Sequence, residues 1–497
     1  MRTRNLAQLL LQRAMERPNL VFGMADDLQT LGHAMEAASR VVAGLEDAGI
    51  VPGSRLAFIA DPDTSYLVMW LSCQLAGVQP VLVNPRYPID LLRAMMADIE
   101  PAAIVAEPSR ELPEGMRRLD HSLAPLGRIS IDGSDIAPSR PATRLPGEGA
   151  APSNIAGFMH TSGTTGSPKF CAQTHEYFLR LGRYVASILH LTPDDTVLAP
   201  LPMFHINPLG YGVIGGLAGG ANVVGLRRFA PESFWGVVHD VNATALILHA
   251  QPVEVLKSRT SPSDAKGHRV RIAFYADLDF LRRFSIPCGV SAYGSTEAGG
   301  ISHTWLWQAS DRVPSSLGEG VARYGGQPRA DLECRLAASR EILLREREAG
   351  ALFAGYWHRN ALNPSRDEDG WFHTGDLGRF DSKGNLVFIE RISESIRVRG
   401  EYVPIDYVEQ RVRTIPGLTD AALWKEPSGG IDDDPVLYVV AEASVPLEEI
   451  RTRISELPRF MRPVKIVRVR SIPRDTGAGK VQRRLLTNAL LLERWVP

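Results

Sequence analysis

Short apolar runs alternate with helical stripes from Leu31 to Ala292, and that alternation limits the possible folds more than any other feature. Residues 31–48 carry apolar side chains at helical spacing (Leu31, Ala34, Ala38, Val41, Val42, Leu45) and end at Gly49. Leu56–Ala60, Pro80–Val83 and Ala102–Ala106 read as buried strands, with helices predicted between them over Ser65–Leu75 and Ile89–Ile99. Further along, Thr196–Ala199, Asn222–Val224, Ala245–Leu248, Arg271–Tyr275 and Gly289–Ala292 all suit strands. Strands that alternate with helices predict a parallel, doubly wound α/β sheet, with ligands beyond the carboxyl ends of the strands. Residues 107–153, rich in Pro, Gly, Ser and Arg, read as a long surface connection with little core. From Glu341 the pattern changes to short strands and turns, a β-rich subdomain. After Arg391–Gly400 comes a smaller segment, with a helix predicted around Tyr407–Thr414 and strands at Val436–Val440 and Lys465–Val469.

A chain of 497 residues is too long for one compact core. The expected division is a large N-terminal domain over 1–392 and a small, mobile α+β domain over 393–497. A formal net charge of −1 argues against a nucleic-acid binder, which would carry a basic excess. Cys73, Cys171, Cys288 and Cys334 form no C-x-x-C pair and are read as buried thiols of a reducing compartment. The stretch after Met1 reads as an amphipathic helix, no apolar run reaches the roughly 18 residues of a membrane span, and a cytoplasmic location is expected.

Four strings carry chemistry. Residues 160–169, H-T-S-G-T-T-G-S-P-K, follow the apolar run Ile155–Met159 and precede a helical stripe over Thr174–His190. Gly163 and Gly166 let backbone approach an anion; Ser162, Thr164 and Thr165 offer hydroxyls; Lys169 adds a mobile positive charge. The spacing differs from the G-x-x-x-x-G-K-[ST] phosphate loop. Y-G-S-T-E-A-G-G (293–300) offers a ring able to stack on a purine, a hydroxyl on Thr296 and a hard-oxygen ligand on Glu297. In W-F-H-T-G-D-L-G (371–378), Asp376 can accept two sugar hydroxyls at once, although G-D is also ordinary turn chemistry. Lys480 lies on a Gly-rich loop in P-R-D-T-G-A-G-K (473–480), within a run of nine Lys or Arg side chains from Arg459 to Arg484 that also suits a solvated basic face.

Taken together and in this order, the strings resemble the adenylate-forming superfamily, which includes acyl-CoA synthetases, luciferases and peptide-synthetase adenylation domains. The resemblance implies an acyl-CoA ligase that uses ATP and Mg²⁺ to make an acyl-adenylate and then transfers the acyl group to coenzyme A. It implies that Thr161–Gly166 and Lys169 hold the β- and γ-phosphates. Tyr293, Gly294, Ser295 and Thr296 would hold the adenylate, with Glu297 on the metal and Asp376 and Arg391 on the ribose. Lys480 would meet the developing charge during adenylation. The Arg391–Gly400 segment resembles the family's domain junction, with Ser393 at the hinge position where Asp or Lys is usual, and Arg399 and Gly400 beside the pantetheine arm. P-M-F-H (202–205) matches the string whose histidine closes the acyl pocket, here His205. Tyr211, Leu217, Phe274, Ala276, Ala292, Gly299 and Ile301 are the expected pocket lining.

Two departures bear on nucleotide handling. Phe170 stands where the family has glycine after P-K, and F-Y-A-D-L-D-F (274–280) replaces its adenine-contact string, leaving Asp277 and Asp279 unexplained. The alternatives are an enzyme that loads an acyl carrier protein, a thioester-forming enzyme fed a preformed adenylate, and a module that binds nucleotide without turnover.

Overall fold

The helix Leu31–Asp47 turns its sequence stripe into packing. Thr30 caps it by accepting from the His33 amide, and Leu31, Ala34, Ala38, Val41, Val42 and Leu45 are fully buried. The helix Thr64–Ala76 is buried on every face, capped by Asp63 at one end and by left-handed Gly77 at the other. Each such buried aliphatic side chain contributes about 1.5–3 kcal/mol. The structure, a computed structural model, describes all residues except 1–2, 139, 143, 163–167, 276, 314–323, 392–395, 400, 428–432, 443–444, 474–480, 482, 487–490 and 496–497.

Two compact units are formed: Met1–Pro85, Met96–His160 and Phe170–Glu390 make the first, and Arg86–Met95, Thr161–Lys169 and Arg391–Pro497 the second. The α/β expectation holds, but with two large sheets in place of one. In the ten-stranded sheet, Arg55–Phe58 runs parallel to Gln79–Leu82 and Ala103–Val105. In the thirteen-stranded sheet, Thr196–Ala199, Ala245–Ile247, Ile272–Phe274 and Cys288–Tyr293 form parallel neighbours. Antiparallel strands from His303–Gln308 through Leu386–Arg391 continue that sheet, so the β-rich part begins earlier than Glu341.

Residues 107–153 are more than a surface connection. Arg118–Asp120, Ile129–Ile131 and Ser134–Ile136 extend the ten-stranded sheet, and they bury Leu119 and Ile129 fully. Each strand has only three residues, too few to establish a period among polar neighbours. A second correction concerns the phosphate-loop string: a strand, Pro168–Thr174, lies between it and the helix His175–Ile188. Phe170 of that strand pairs with Trp357 and is fully buried, so its ring serves the core. Cys73 and Cys171 are buried free thiols, whereas Cys288 and Cys334 are only half-buried.

The second unit contains the helices Ile405–Arg413 and Leu447–Ser455 and a sheet of Leu418–Pro427, Asp433–Ala441, Lys465–Val469 and Leu491–Trp495. Ala422, Val436, Tyr438 and Val467 form its core. Glu409, nearly fully buried, accepts from the Arg483 guanidinium at 2.7 Å and from the Leu423 amide at 2.8 Å. Arg483 is therefore not part of a solvated basic face; it is buried with a carboxylate partner.

Candidate functional site

The turn Tyr293–Ile301 follows the strand Cys288–Tyr293 and is held by its own backbone. The Ser295 carbonyl accepts the amides of Ala298 and Gly300 at 3.0 and 2.9 Å, and Tyr293 accepts from Ser302 at 2.9 Å. A Cβ on Gly294 would lie 2.2 Å from the Gly300 carbonyl, so this crossing tolerates only glycine. Gly299 also needs its missing side chain: its φ is +72°, and a Cβ would sit 2.4 Å from the Ala351 carbonyl.

Side chains from other elements clamp the same turn. Tyr177 donates to the Thr296 carbonyl at 2.8 Å, and Tyr211 donates to that of Gly300 at 2.8 Å. Arg329, nearly fully buried, donates to Gly299 and Ile301 at 2.9 and 3.0 Å while pairing with Asp331. None of the sequence strings points to Tyr177 or Arg329; the only trace is the Arg329-x-Asp331 spacing.

Glu297 is buried, and its Oε1 accepts from the Tyr356 hydroxyl at 3.0 Å. Its second oxygen belongs to a fixed carboxylate of the hard-oxygen type that Mg²⁺ prefers, which shares its coordination with phosphates and water. The donor chemistry fits that ion. Tyr356, which orients Glu297, lies outside every string read from the sequence.

Asp376 lies in the strand Phe372–Phe380 and is buried. Its Oδ2 accepts from Tyr293 at 2.8 Å, and its amide donates to the Thr374 hydroxyl at 3.1 Å. The Tyr293 ring stacks on Phe388 at 6.0 Å with a 23° tilt. Beneath it lies His303, whose protonation burial opposes, lowering its pKa to about 3. The two strings around Tyr293 and Asp376 therefore meet through a buried hydrogen bond.

Of the predicted acyl-pocket residues, Phe274 ends a parallel strand and Ala292 lies one residue before the end of another. Tyr211 contacts Phe274 with ring centroids 5.1 Å apart, and Ile301 and Leu217 are buried. Half-buried His205 lies 4.5 Å from the Phe204 ring and 6.3 Å from that of His160. His160 in turn contacts the Leu82 carbonyl at 3.0 Å. Asp277, unexplained by the sequence, caps the helix Leu278–Arg283 and pairs with Lys257 at 2.6 Å. It is a structural group.

Thr161 lies in the strand Ile155–Ser162 and is buried, and Lys169 is half-buried. Arg399 is exposed with a left-handed φ of 55°. Gly163–Gly166, Ala276, Ser393, Gly400 and Lys480 lie outside the described residues, as do the side chains of Ser162 and Arg391.

Residues 10–354 match the family model described as AMP-binding enzyme. The chain belongs to that family. It is 26% identical to 4-coumarate-CoA ligase 1 of Narcissus pseudonarcissus over 96% of its own length and 92% of that protein's. It is 25% identical to the long-chain-fatty-acid–CoA ligase FadD13 of Mycobacterium tuberculosis, covering 97% of this chain and 98% of that one. Among solved structures it is similar to an o-succinylbenzoate CoA synthetase double mutant of Bacillus subtilis bound with a product analogue, with a TM-score of 0.80 at 21% identity. That match covers 96% of this chain and 98% of the other. Among the described residues, no helix is long and apolar enough to cross a membrane.

Proposed function

We propose that the protein activates a carboxylic acid with ATP as an acyl-adenylate, releasing pyrophosphate, and then passes the acyl group to the thiol of coenzyme A. The observation that carries this reading is the buried Tyr293–Asp376 hydrogen bond beside a clamped Glu297, a pre-ordered nucleotide site. Asp376 has one oxygen engaged by Tyr293 and presents a carboxylate suited to ribose hydroxyls, with Arg391 beside it in the sequence pattern. Thr161–Gly166 and Lys169 would bind the β- and γ-phosphates, and Tyr293 with Thr296 the adenylate. Glu297 would hold Mg²⁺, which on binding neutralises charge on the phosphates.

In the first half-reaction a carboxylate oxygen attacks the α-phosphorus and pyrophosphate leaves. Lys480 would supply the fixed positive charge that this step needs; removal of such a group costs about 10²–10³ in rate. In the second half-reaction the thiol sulfur attacks the acyl carbon and AMP leaves; His205 would close the acyl pocket, and Arg399 and Gly400 would receive the incoming arm. The small domain carrying Lys480 would pivot at Ser393 between the two steps.

The named relatives are ligases of 4-coumarate and of long-chain fatty acids, so kinship leaves the acyl group open. The test is carboxylate-dependent exchange of labelled pyrophosphate into ATP over aliphatic, aromatic and dicarboxylic acids, without coenzyme A. Exchange with one class is expected. A folded protein silent across the panel, and unable to acylate coenzyme A from a synthetic acyl-adenylate, would refute the reading. Transfer from that adenylate to a carrier protein but not to coenzyme A would reassign the acceptor.

A further inference from the structure

Asn207 opens the π-helical segment Asn207–Ile214, two residues beyond His205. Its side chain is buried, with 7% of its surface exposed. Nδ2 donates to the Leu248 carbonyl at 3.1 Å, one residue past the end of the strand Ala245–Ile247. A carbonyl can only accept, so this contact fixes which end of the amide is nitrogen. The other end, Oδ1, is buried and has no hydrogen-bond partner among the described residues. An unsatisfied buried acceptor costs free energy, and one that a structure keeps calls for a specific explanation.

Position separates Asn207 from other buried polar groups of this kind, such as Gln74 within a helix and Gln173 within a strand. The segment Asn207–Ile214 lies against the carboxyl ends of the parallel strands, where ligands of such sheets bind. A Cβ on Gly212 would be 2.5 Å from that of Ala199, at the end of its strand. Tyr211 of the same segment contacts Phe274, which ends another strand. His249, next after Leu248, stacks on Tyr275 at 4.9 Å, and Tyr275 has a φ of +74°. A left-handed tyrosine is strained, and such strain is found mostly where a site needs a particular backbone course.

We propose that Asn207 Oδ1 receives a hydroxyl or amide N–H carried by the acyl group, so that the substrate is a carboxylic acid bearing a hydrogen-bond donor and not a plain hydrocarbon acid. This assignment rests on the acyl-CoA ligase reading above. The acceptor is neutral, which suits a neutral donor; an ammonium group would lose its hydration there for too little return. π-Helical turns recur at functional sites because they displace one side chain from the regular spacing, and here the segment begins with the acceptor itself.

The test is pyrophosphate exchange with matched acids: each aliphatic and aromatic parent beside its hydroxylated and its N-acylamino derivative. One donor-bearing series is expected to exceed its parents in kcat/KM by about tenfold or more, and which series leads identifies the donor. In Asn207→Leu, and in Asn207→Ala as a second variant checked by thermal melting, that ratio should fall toward one. Equal efficiency of parents and derivatives in the wild-type protein overturns the inference while leaving the ligase reading intact. A preference that persists in a folded variant also overturns it. Exchange with no acid in any series overturns this assignment, and failure to acylate coenzyme A from a synthetic acyl-adenylate as well refutes the ligase reading with it.

Discussion

The hydroxyl of Tyr293 donates to Oδ2 of Asp376 across 2.8 Å in a buried setting, joining two strings 83 residues apart. Tyr293→Phe removes that donor without opening a large void. A hydrogen bond to a charged group is worth about 1.5–3 kcal/mol, which corresponds to a rise of about 10- to 100-fold in KM for ATP during pyrophosphate exchange. An unchanged KM for ATP would show that the bond does not position Asp376 for nucleotide.

Glu297 and Tyr356 should separate cleanly. Glu297→Gln removes the proposed metal ligand's charge and should slow exchange by about 10²–10³, with little recovery at high Mg²⁺. Tyr356→Phe leaves the charge and loosens only its orientation, so a loss of about tenfold, partly recovered by raising Mg²⁺, is expected. Wild-type Mg²⁺ dependence in folded Glu297→Gln would remove this residue from the metal site.

Phe170 tests whether the departure after P-K belongs to the site or to the core. Its ring is fully buried beside the strand Gly355–His358. Phe170→Gly should therefore destabilise by about 3–5 kcal/mol through cavity formation, with glycine's extra chain entropy added. A denaturation curve reads this directly. A variant as stable as the wild type would mean that the ring contributes nothing to packing.

Two buried histidines set an acid limit on stability. Burial lowers the pKa of His175 to about 4 and that of His303 to about 3, from an ordinary 6.5. His175 Nδ1 also accepts the Leu6 amide at 3.3 Å, which requires its unprotonated nitrogen. Both folded pKa values lie below the unfolded one, so the unfolded chain binds more protons between them. The stabilising contribution is complete above pH 6.5 and declines as pH falls toward 4 for His175 and 3 for His303. His175→Asn keeps an acceptor but removes one titrating group, and should flatten the fall in Tm between about pH 6.5 and 5. Parallel Tm profiles for the two proteins would disprove the assignment.

Local sequence was sufficient wherever a signal is local. The stripe on Leu31–Asp47 and the apolar run Thr196–Ala199 each record a period that one element imposes on its own residues, and the structure places both as expected. The need for glycine at 294 and 299 was not legible in this way, because the carbonyls that exclude a side chain there belong to Gly300 and Ala351. Pairing between distant segments leaves no such period. Strand Pro168–Thr174 is stabilised by neighbours on both sides, and three-residue strands such as Ile129–Ile131 exist only because a sheet edge was there to receive them. The direction of the Phe170 ring, the engagement of Asp277 with Lys257, the burial of Arg483 against Glu409 and the clamps from Arg329 and Tyr356 were all decided through space. The sequence by itself determined the alternating α/β elements and the chemistry-bearing strings in their order. Only the tertiary structure decided which of those polar groups have a partner, because a hydrogen bond's worth depends on the burial and geometry that distant residues supply.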